Sequence, residues 1–178
     1  IEACITWLQN MGTRFCMADN RRDVAVAIRD RFIQMGYTGA ALDSFWLDLT
    51  RFGITFQGWH YNEISVLEGK TYPDSVCIAG AHYDDFSPAQ YFFTDAPGAN
   101  DNASGVAAVI EIARVMKKCS FIPDLTIKFI AFSAEEAGLY GSLSYAGKAS
   151  ESQEKIKLML NNDMIACEKD RGRTRSIV

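Results

Sequence analysis

The chain is poor in imidazole and in ring-constrained residues, with two histidines and four prolines among 178 residues, and its five cysteines form no C-x-x-C pair. That spacing argues against a thiolate zinc site and against a disulfide-dense scaffold. Cys4, Cys16, Cys77, Cys119 and Cys167 are expected as free thiols, mostly small buried apolar residues; a Cys4–Cys16 bridge would need an oxidising compartment. No run approaches the roughly 18 apolar residues of a membrane span, so no membrane partner is expected. There is also no excess of positive charge. The net charge is −4 and the pI about 5.2, which gives no electrostatic reason to expect nucleic acid. An initiator Met and a charged-then-apolar leader are both missing, and from this a processed or trimmed start at Ile1 is expected.

What remains is a chain with 48% hydrophobic residues, long enough for one domain with a sizeable core. Residues 2–10 and 20–35 read as helices. In the second, Val24, Ala27, Ile28, Arg31, Phe32 and Met35 recur near helical spacing, Asn20 or Asp23 is placed to cap it, and Gly36 ends it. Residues 44–49 and 59–67 read as outer strands. The turn-rich 68–74 then suggests a hairpin into an interior strand from Val76.

From Val76 onward the pattern alternates: strand 76–81, helix 103–118, strand 125–132, helix 139–149 and strand 156–160. Such alternation predicts a three-layer α/β/α fold around a mixed, mostly parallel sheet. Helix 103–118 carries a stripe of Val106, Val109, Ile110, Ala113 and Met116 that packing alone explains. The loop 85–98 holds Tyr91, Phe92 and Phe93, which either shape a substrate pocket or pack over the sheet. The basic stretch from Lys169 to Arg175 reads as a solvated turn.

Three of these strands run apolar and then stop in polar residues: Ala79-Gly-Ala-His82-Tyr-Asp84, Ala131-Phe-Ser-Ala-Glu135-Glu136 and Leu158-Met-Leu-Asn-Asn-Asp163. Parallel strands bring such endings to one sheet edge, where ligands of open α/β sheets sit. One imidazole among several carboxylates would repel itself there without a cation. His82 and Asp84, two apart, share a strand face, so the imidazole can bind metal through one nitrogen while Asp84 attends to the other. Asp101 lies in a tight polar turn feeding a helix and is the natural carboxylate to bridge two metals. Of the adjacent Glu135 and Glu136, one can hold a cation while the other stays free to move a proton. Each of these positions has an ordinary explanation alone, as helix cap or strand stop; a metal explains them together.

Tyr61-Asn-Glu-Ile, Ala79-Gly-Ala-His82-Tyr-Asp84, Gly98-Ala-Asn-Asp101-Asn-Ala-Ser-Gly105, Phe132-Ser-Ala-Glu135-Glu136-Ala-Gly-Leu-Tyr-Gly141-Ser and Asn162-Asp163-Met-Ile165 resemble, in that order, the co-catalytic zinc aminopeptidases that include the secreted bacterial leucyl aminopeptidases. The resemblance implies a zinc-exopeptidase fold and Zn2+ as cofactor, two ions per complete domain. It implies that His82 and Asp163 hold one zinc, that Asp101 bridges, and that Glu136 holds the second. Glu135 would be the general base, and Asp84 would orient His82. A cis peptide after Asp101 is also implied.

The implied activity is removal of N-terminal residues from peptides by zinc-activated water, with a peptide bearing a free N-terminus as substrate and a secreted or periplasmic location. A glutaminyl-cyclase-like enzyme with one zinc, and a non-catalytic binding domain of the same fold, are the alternatives. The family supplies a further histidine to the second zinc from downstream of Asp163; this chain has only His60 besides His82, and His60 is not expected to replace it. The 178 residues are therefore read as one incomplete catalytic domain, its C-terminal part absent. An apolar sheet edge left uncovered would favour dimerisation, disorder near the C-terminus or poor solubility.

Overall fold

The computed structural model describes residues 1–51, 53–87 and 93–166. Pro88, Tyr91, Phe92, Cys167 and the Lys169 to Arg175 stretch lie outside them. Helices α1 (Glu2–Gln9) and α2 (Arg21–Gln34) come first, followed by strands β1 (Ala41–Arg51), β2 (Ile54–Leu67) and β3 (Tyr72–His82). Then follow α3 (Gly105–Lys118), β4 (Leu125–Phe132), α4 (Tyr140–Glu151) and β5 (Lys155–Asn161).

The five strands form one sheet in the order β1-β2-β4-β3-β5. β3 runs parallel to both β4 and β5, while β2 is antiparallel to β1 and β4. Four of the five strands therefore point the same way, as a mostly parallel sheet requires. The hairpin is β1–β2, not β2–β3. The segment after β2 stays against the start of β4: the amides of Lys70 and Tyr72 donate to the carbonyls of Pro123 and Asp124, and Gly69 N donates to Thr126 Oγ1 at 3.0 Å. Those bonds consume the turn's polar groups and send the chain across β4, so β3 enters on its far side. β2, expected as an outer strand, is instead interior, paired with β1 on one side and β4 on the other; both β1 and β2 extend further than the alternation of apolar residues reaches, because pairing of Ala41 through Arg51 with Ile64 through Ile54 satisfies their backbone regardless of side chain.

Side-chain alternation on β3 and β4 buries apolar residues on both faces of the sheet, while Phe45, Leu47 and Leu49 of β1 join a third cluster with Phe15 and Met17. Ala79, Ala81, Phe129 and Ala131 face α1, α2 and α3, meeting Leu8, Ile28, Phe32, Val106, Val109 and Ile110. Phe32, Tyr37 and Phe129 pack ring on ring there, with centroids 5.5 to 6.3 Å apart. The opposite face presents Val76, Ile78, Ile130 and Phe132 to Tyr145 and Ala149 of α4. Asn20 occupies the position before α2 without a side-chain cap bond; its amide instead donates to Thr13 O at 2.8 Å. Cys4, Cys16, Cys77 and Cys119 are free thiols. Of the aromatic loop, Phe93 packs edge-on to Phe15 at 5.2 Å. No described helix is long and apolar enough to cross a membrane. β5 is exposed along its whole length, Leu158 by 51% and Leu160 by 58%, so an apolar strand lies uncovered at the sheet edge.

One core residue carries a charge cost. Glu63, on β2 opposite Ala131, is wholly buried; Ser65 Oγ donates to its Oε1 at 2.6 Å, while Oε2 has no hydrogen-bond partner among the described residues. Burial pushes its carboxyl up to about 8, against the Ser65 bond. The unfolded value is about 4.3, so between these limits the folded state holds a proton that the unfolded state has lost, and stability falls as pH rises. At about 1.4 kcal/mol per pH unit the window amounts to a few kcal/mol. Glu63→Gln is expected to raise the melting midpoint at pH 8 by on the order of 5 °C and to leave it nearly unchanged at pH 4, as read by thermal denaturation across that range.

Candidate metal centre

β3, β4 and β5 end at the same sheet edge because they are parallel, and each delivers its polar residues there. β3 ends on His82 with Asp84 just beyond, β5 runs into Asn162 and Asp163, and after β4 the chain turns sharply through Ala134, at φ 57, to present Glu135 and Glu136. Asp101 arrives from the opposite side, in the irregular turn Ala99–Ser104 that precedes α3. Asp101 and Asn102 depart from helical φ/ψ there, which is why α3 starts at Gly105 rather than at 103. The Asp101–Asn102 peptide is cis.

His82 is buried at the centre. Its Nε2 lies 3.2 Å from Asp101 Oδ1 and 3.6 Å from Asp163 Oδ1. Its Nδ1 is 3.1 Å from the carbonyl oxygen of Asp84, which fixes the tautomer with the proton on Nδ1 and turns Nε2 toward the two carboxylates. Ligand atoms of His82, Asp101 and Asp163 all fall within 4.8 Å of one another. Burial opposes protonation of His82, yet the neighbouring Asp84, Glu135 and Asp163 override it and raise the imidazole to about 9. A ring nitrogen facing two carboxylates calls for a positive charge, supplied by a proton on Nε2 or by a cation in its place, and an N/O donor set of this kind suits zinc. Asp101 and Asp163 remain partly exposed, so the space between them is reachable from solvent.

Asp84 is placed differently from a simple carboxylate–imidazole pair. Its carboxylate, fully buried, accepts the amides of Glu135 at 3.0 Å and Glu136 at 3.1 Å, and stands 3.7 Å from His82 Nδ1. It thus fixes the turn that carries both glutamates, while its backbone carbonyl serves the imidazole. Glu136 is not part of the close trio with His82. Burial, then Asp101 and Asp84, raises its carboxyl to about 7; Glu135 is raised by burial as well, with His82 opposing. Glu135 lines an open cleft of about 260 Å³ together with His82, Asp163 and the apolar Phe132, Leu139 and Met159. His60 lies apart from this centre. It is buried on β2 between Phe45 and Phe56, with Nδ1 3.4 Å from Ser133 Oγ, and desolvation lowers it to about 4.

Three polar residues that pattern reading passed over hold the site's frame. Asn62 accepts Ser133 N at 3.0 Å and donates to Gly141 O at 2.9 Å, joining the glutamate turn to the start of α4. Asn102 bonds the segment around Asp163, as described below. Arg14, 1% exposed and paired with Asp85, donates to the carbonyls of Leu8, Tyr83, Pro97 and Gly98, tying the strand end at β3 to the loop that leads to Asp101. Gly98 passes so close that a Cβ there would sit 2.6 Å from Arg14 Nη2 and from Asp101 O. The signal for both asparagines was an uncharged amide next to an acidic residue within a motif, Glu63 for Asn62 and Asp101 for Asn102; for Arg14 the sequence carries none, since a buried arginine looks like a surface one until its partners are known.

Residues 62–175 match the model of peptidase family M28. A probable zinc metalloprotease of Leptosphaeria maculans is 32% identical over 97% of the chain, and the chain spans 42% of that protein. Another, from Pyricularia oryzae, is 40% identical over 58% of the chain, which spans 20% of it. The chain thus spans less than half the length of these curated relatives. Among solved structures, an aminopeptidase from Aneurinibacillus sp. strain AM-1 is 36% identical over 62% of the chain and 26% of its own, with a TM-score of 0.52. A glutaminyl cyclase of Bacteroides thetaiotaomicron shares the fold, with a TM-score of 0.71 over 94% of the chain and 61% of its own at 20% identity.

Proposed function

The chain belongs to peptidase family M28, and on that premise we propose that it carries the metal-binding edge of a zinc-dependent aminopeptidase acting on peptides with a free N-terminus. One observation carries the reading: His82 Nε2 and the carboxylates of Asp101 and Asp163 converge within 4.8 Å where three parallel strands end. In this reading His82, Asp101 and Asp163 would hold a first zinc, and Asp101 and Glu136 are the residues that would hold a second. A zinc ion bound by these residues would supply Lewis acidity toward water and the scissile carbonyl.

Glu135 is the proton carrier. Its carboxylate faces the cleft beside His82 and Asp163, takes the proton of the attacking water, and returns it to the leaving amine. Its basicity, raised first by burial, favours taking a proton from water. Asp84 keeps Glu135 and Glu136 in place through their amides. The chain has no third histidine, so any nitrogen donor beside Glu136 comes from outside these residues, or water completes the site. The exposed β5 edge is where an isolated copy of the chain would pair with a second.

A glutaminyl-cyclase-like enzyme with a single zinc is the second reading, favoured by the trio forming without Glu136. Elemental analysis and zinc titration of the whole protein decide between them. Two zinc ions, loss of leucyl-substrate hydrolysis on chelation and recovery on zinc addition are expected. One zinc with cyclisation of glutaminyl substrates would favour the alternative, and a protein that takes up no metal would overturn both.

A further inference from the structure

We propose that Asn102 is a positioning residue that sets the separation of the two carboxylates facing His82, using one buried side chain to hold both. This rests on the reading of His82, Asp101 and Asp163 as metal ligands. Asn102 follows Asp101 directly in the chain and is 0% exposed. Its Nδ2 donates to the carbonyl of Asn162 at 2.9 Å, and its Oδ1 accepts the amides of Met164 at 3.2 Å and Gly105 at 3.0 Å. Asn162 and Met164 are the residues on either side of Asp163. A single carboxamide therefore grips the backbone before and after one carboxylate while being bonded covalently to the residue that bears the other.

The grip matters because packing does little to fix Asp163. Every residue of β5 is exposed, and Met164 and Ile165 are half exposed as well, so no apolar anchor holds the segment that carries it. Hydrogen bonds do that work. Asn162 N donates to Gly80 O at 2.9 Å, continuing the β3–β5 ladder, but beyond Asn162 the ladder ends and the contacts pass to the turn before α3. There Asn102 takes Met164 N, Ser104 Oγ takes Ile165 N at 3.0 Å, and Asn100 Oδ1 takes Ala166 N at 3.1 Å. The approach is close: a Cβ on Gly105 would lie 2.2 Å from Asn162 O and 2.5 Å from Asn102 Oδ1.

Chemistry selects asparagine for this place. An aspartate of the same shape has no N–H for the Asn162 carbonyl, setting oxygen against oxygen at 2.9 Å, and it adds a charge to a cluster already rich in carboxylates. A leucine of similar size leaves the Met164 and Gly105 amides and the Asn162 carbonyl without their partner.

The experiment compares the whole protein with Asn102→Asp and Asn102→Ser, the serine being too short to reach both Asn162 and Met164. Zinc affinity is measured by competition with a chromophoric chelator, and the visible d–d bands of the Co2+-substituted protein report ligand geometry; far-ultraviolet circular dichroism at 10 °C checks folding. A rise of ten- to a hundredfold in the zinc dissociation constant is expected in each variant, with a changed Co2+ spectrum and unchanged circular dichroism. A purely structural asparagine would lower the melting midpoint and leave both metal readouts alone; parental zinc affinity and Co2+ bands in a folded variant would overturn the inference and spare the metal reading. A parent protein that binds no zinc overturns the metal reading and the inference with it. If both variants are unfolded even with saturating zinc, Asn102 is a folding residue and the proposal fails.

Discussion

Glu135→Gln is expected to lower kcat against leucyl substrates by at least a hundredfold, and by as much as ten-thousandfold, while zinc content and melting midpoint stay near those of the parent. The side chain keeps its size and its place in the cleft, and its backbone amide still donates to Asp84 Oδ1 at 3.0 Å, so the turn after β4 is undisturbed. Only the ability to take a proton is lost. Glutamine cannot accept one from water, nor hand one to a departing amine, and no other described carboxylate with the cleft to itself replaces it: Asp101 and Asp163 face His82 Nε2, and Glu136 does not line the cleft. KM should change little, because the loss falls on the transition state. Steady-state kinetics with parallel metal analysis check this. A variant retaining a tenth or more of parental kcat would remove Glu135 from its role, whatever happens to zinc binding.

The gathering of His82 and Asp163 at one end of the sheet was legible in sequence because the relevant physics is local. An apolar strand that stops in His82 or Asp163 announces its own end, and parallel alternation brings those ends to one edge; the 3.6 Å between His82 Nε2 and Asp163 Oδ1 follows from that topology, whereas the 3.2 Å to Asp101 depends on the turn before α3. Helices α1 and α2 were likewise readable from spacing, since their buried residues, Cys4 with Leu8 and Val24 with Ile28 and Phe32, repeat every four positions.

What escaped was whatever depended on a partner far along the chain. The segment after β2 crosses β4 because Pro123, Asp124 and Thr126 offer it hydrogen bonds, and nothing in residues 68–74 specifies that. The 71 residues between Arg14 and Asp85, and the 60 between Asn102 and Asn162, hide two of the three framing contacts in the same way. Asp84 shows the middle case: its proximity to His82 follows from a spacing of two, but the engagement of its carboxylate by the glutamate amides depends on a turn about fifty residues later.

That engagement makes Asp84→Asn the most informative second substitution, with an expected loss of one hundred- to a thousandfold in kcat/KM together with a weakened hold on zinc. The buried carboxylate now accepts two N–H groups, from Glu135 on Oδ1 and from Glu136 on Oδ2. An asparagine in the same place offers one oxygen; its amino group would face the second N–H, donor against donor, at about 3 Å. A buried donor without a partner costs about 1–3 kcal/mol, so the turn shifts rather than tolerate it, and Glu135 and Glu136 shift with it. At the same time His82 loses a negative charge 3.7 Å from Nδ1, which lowers the electron density its Nε2 can offer a cation.

Both effects point the same way, whereas Glu135→Gln separates turnover from metal binding, and the contrast between the two variants is the test. Zinc affinity of Asp84→Asn is expected to drop by ten- to a hundredfold and its melting midpoint by several degrees, measured by chelator competition and thermal denaturation beside the kinetics. If Asp84→Asn instead behaved like Glu135→Gln, inactive with undiminished zinc affinity and stability, the carboxylate would belong to the chemistry itself and its role as the brace of the glutamate turn would be wrong.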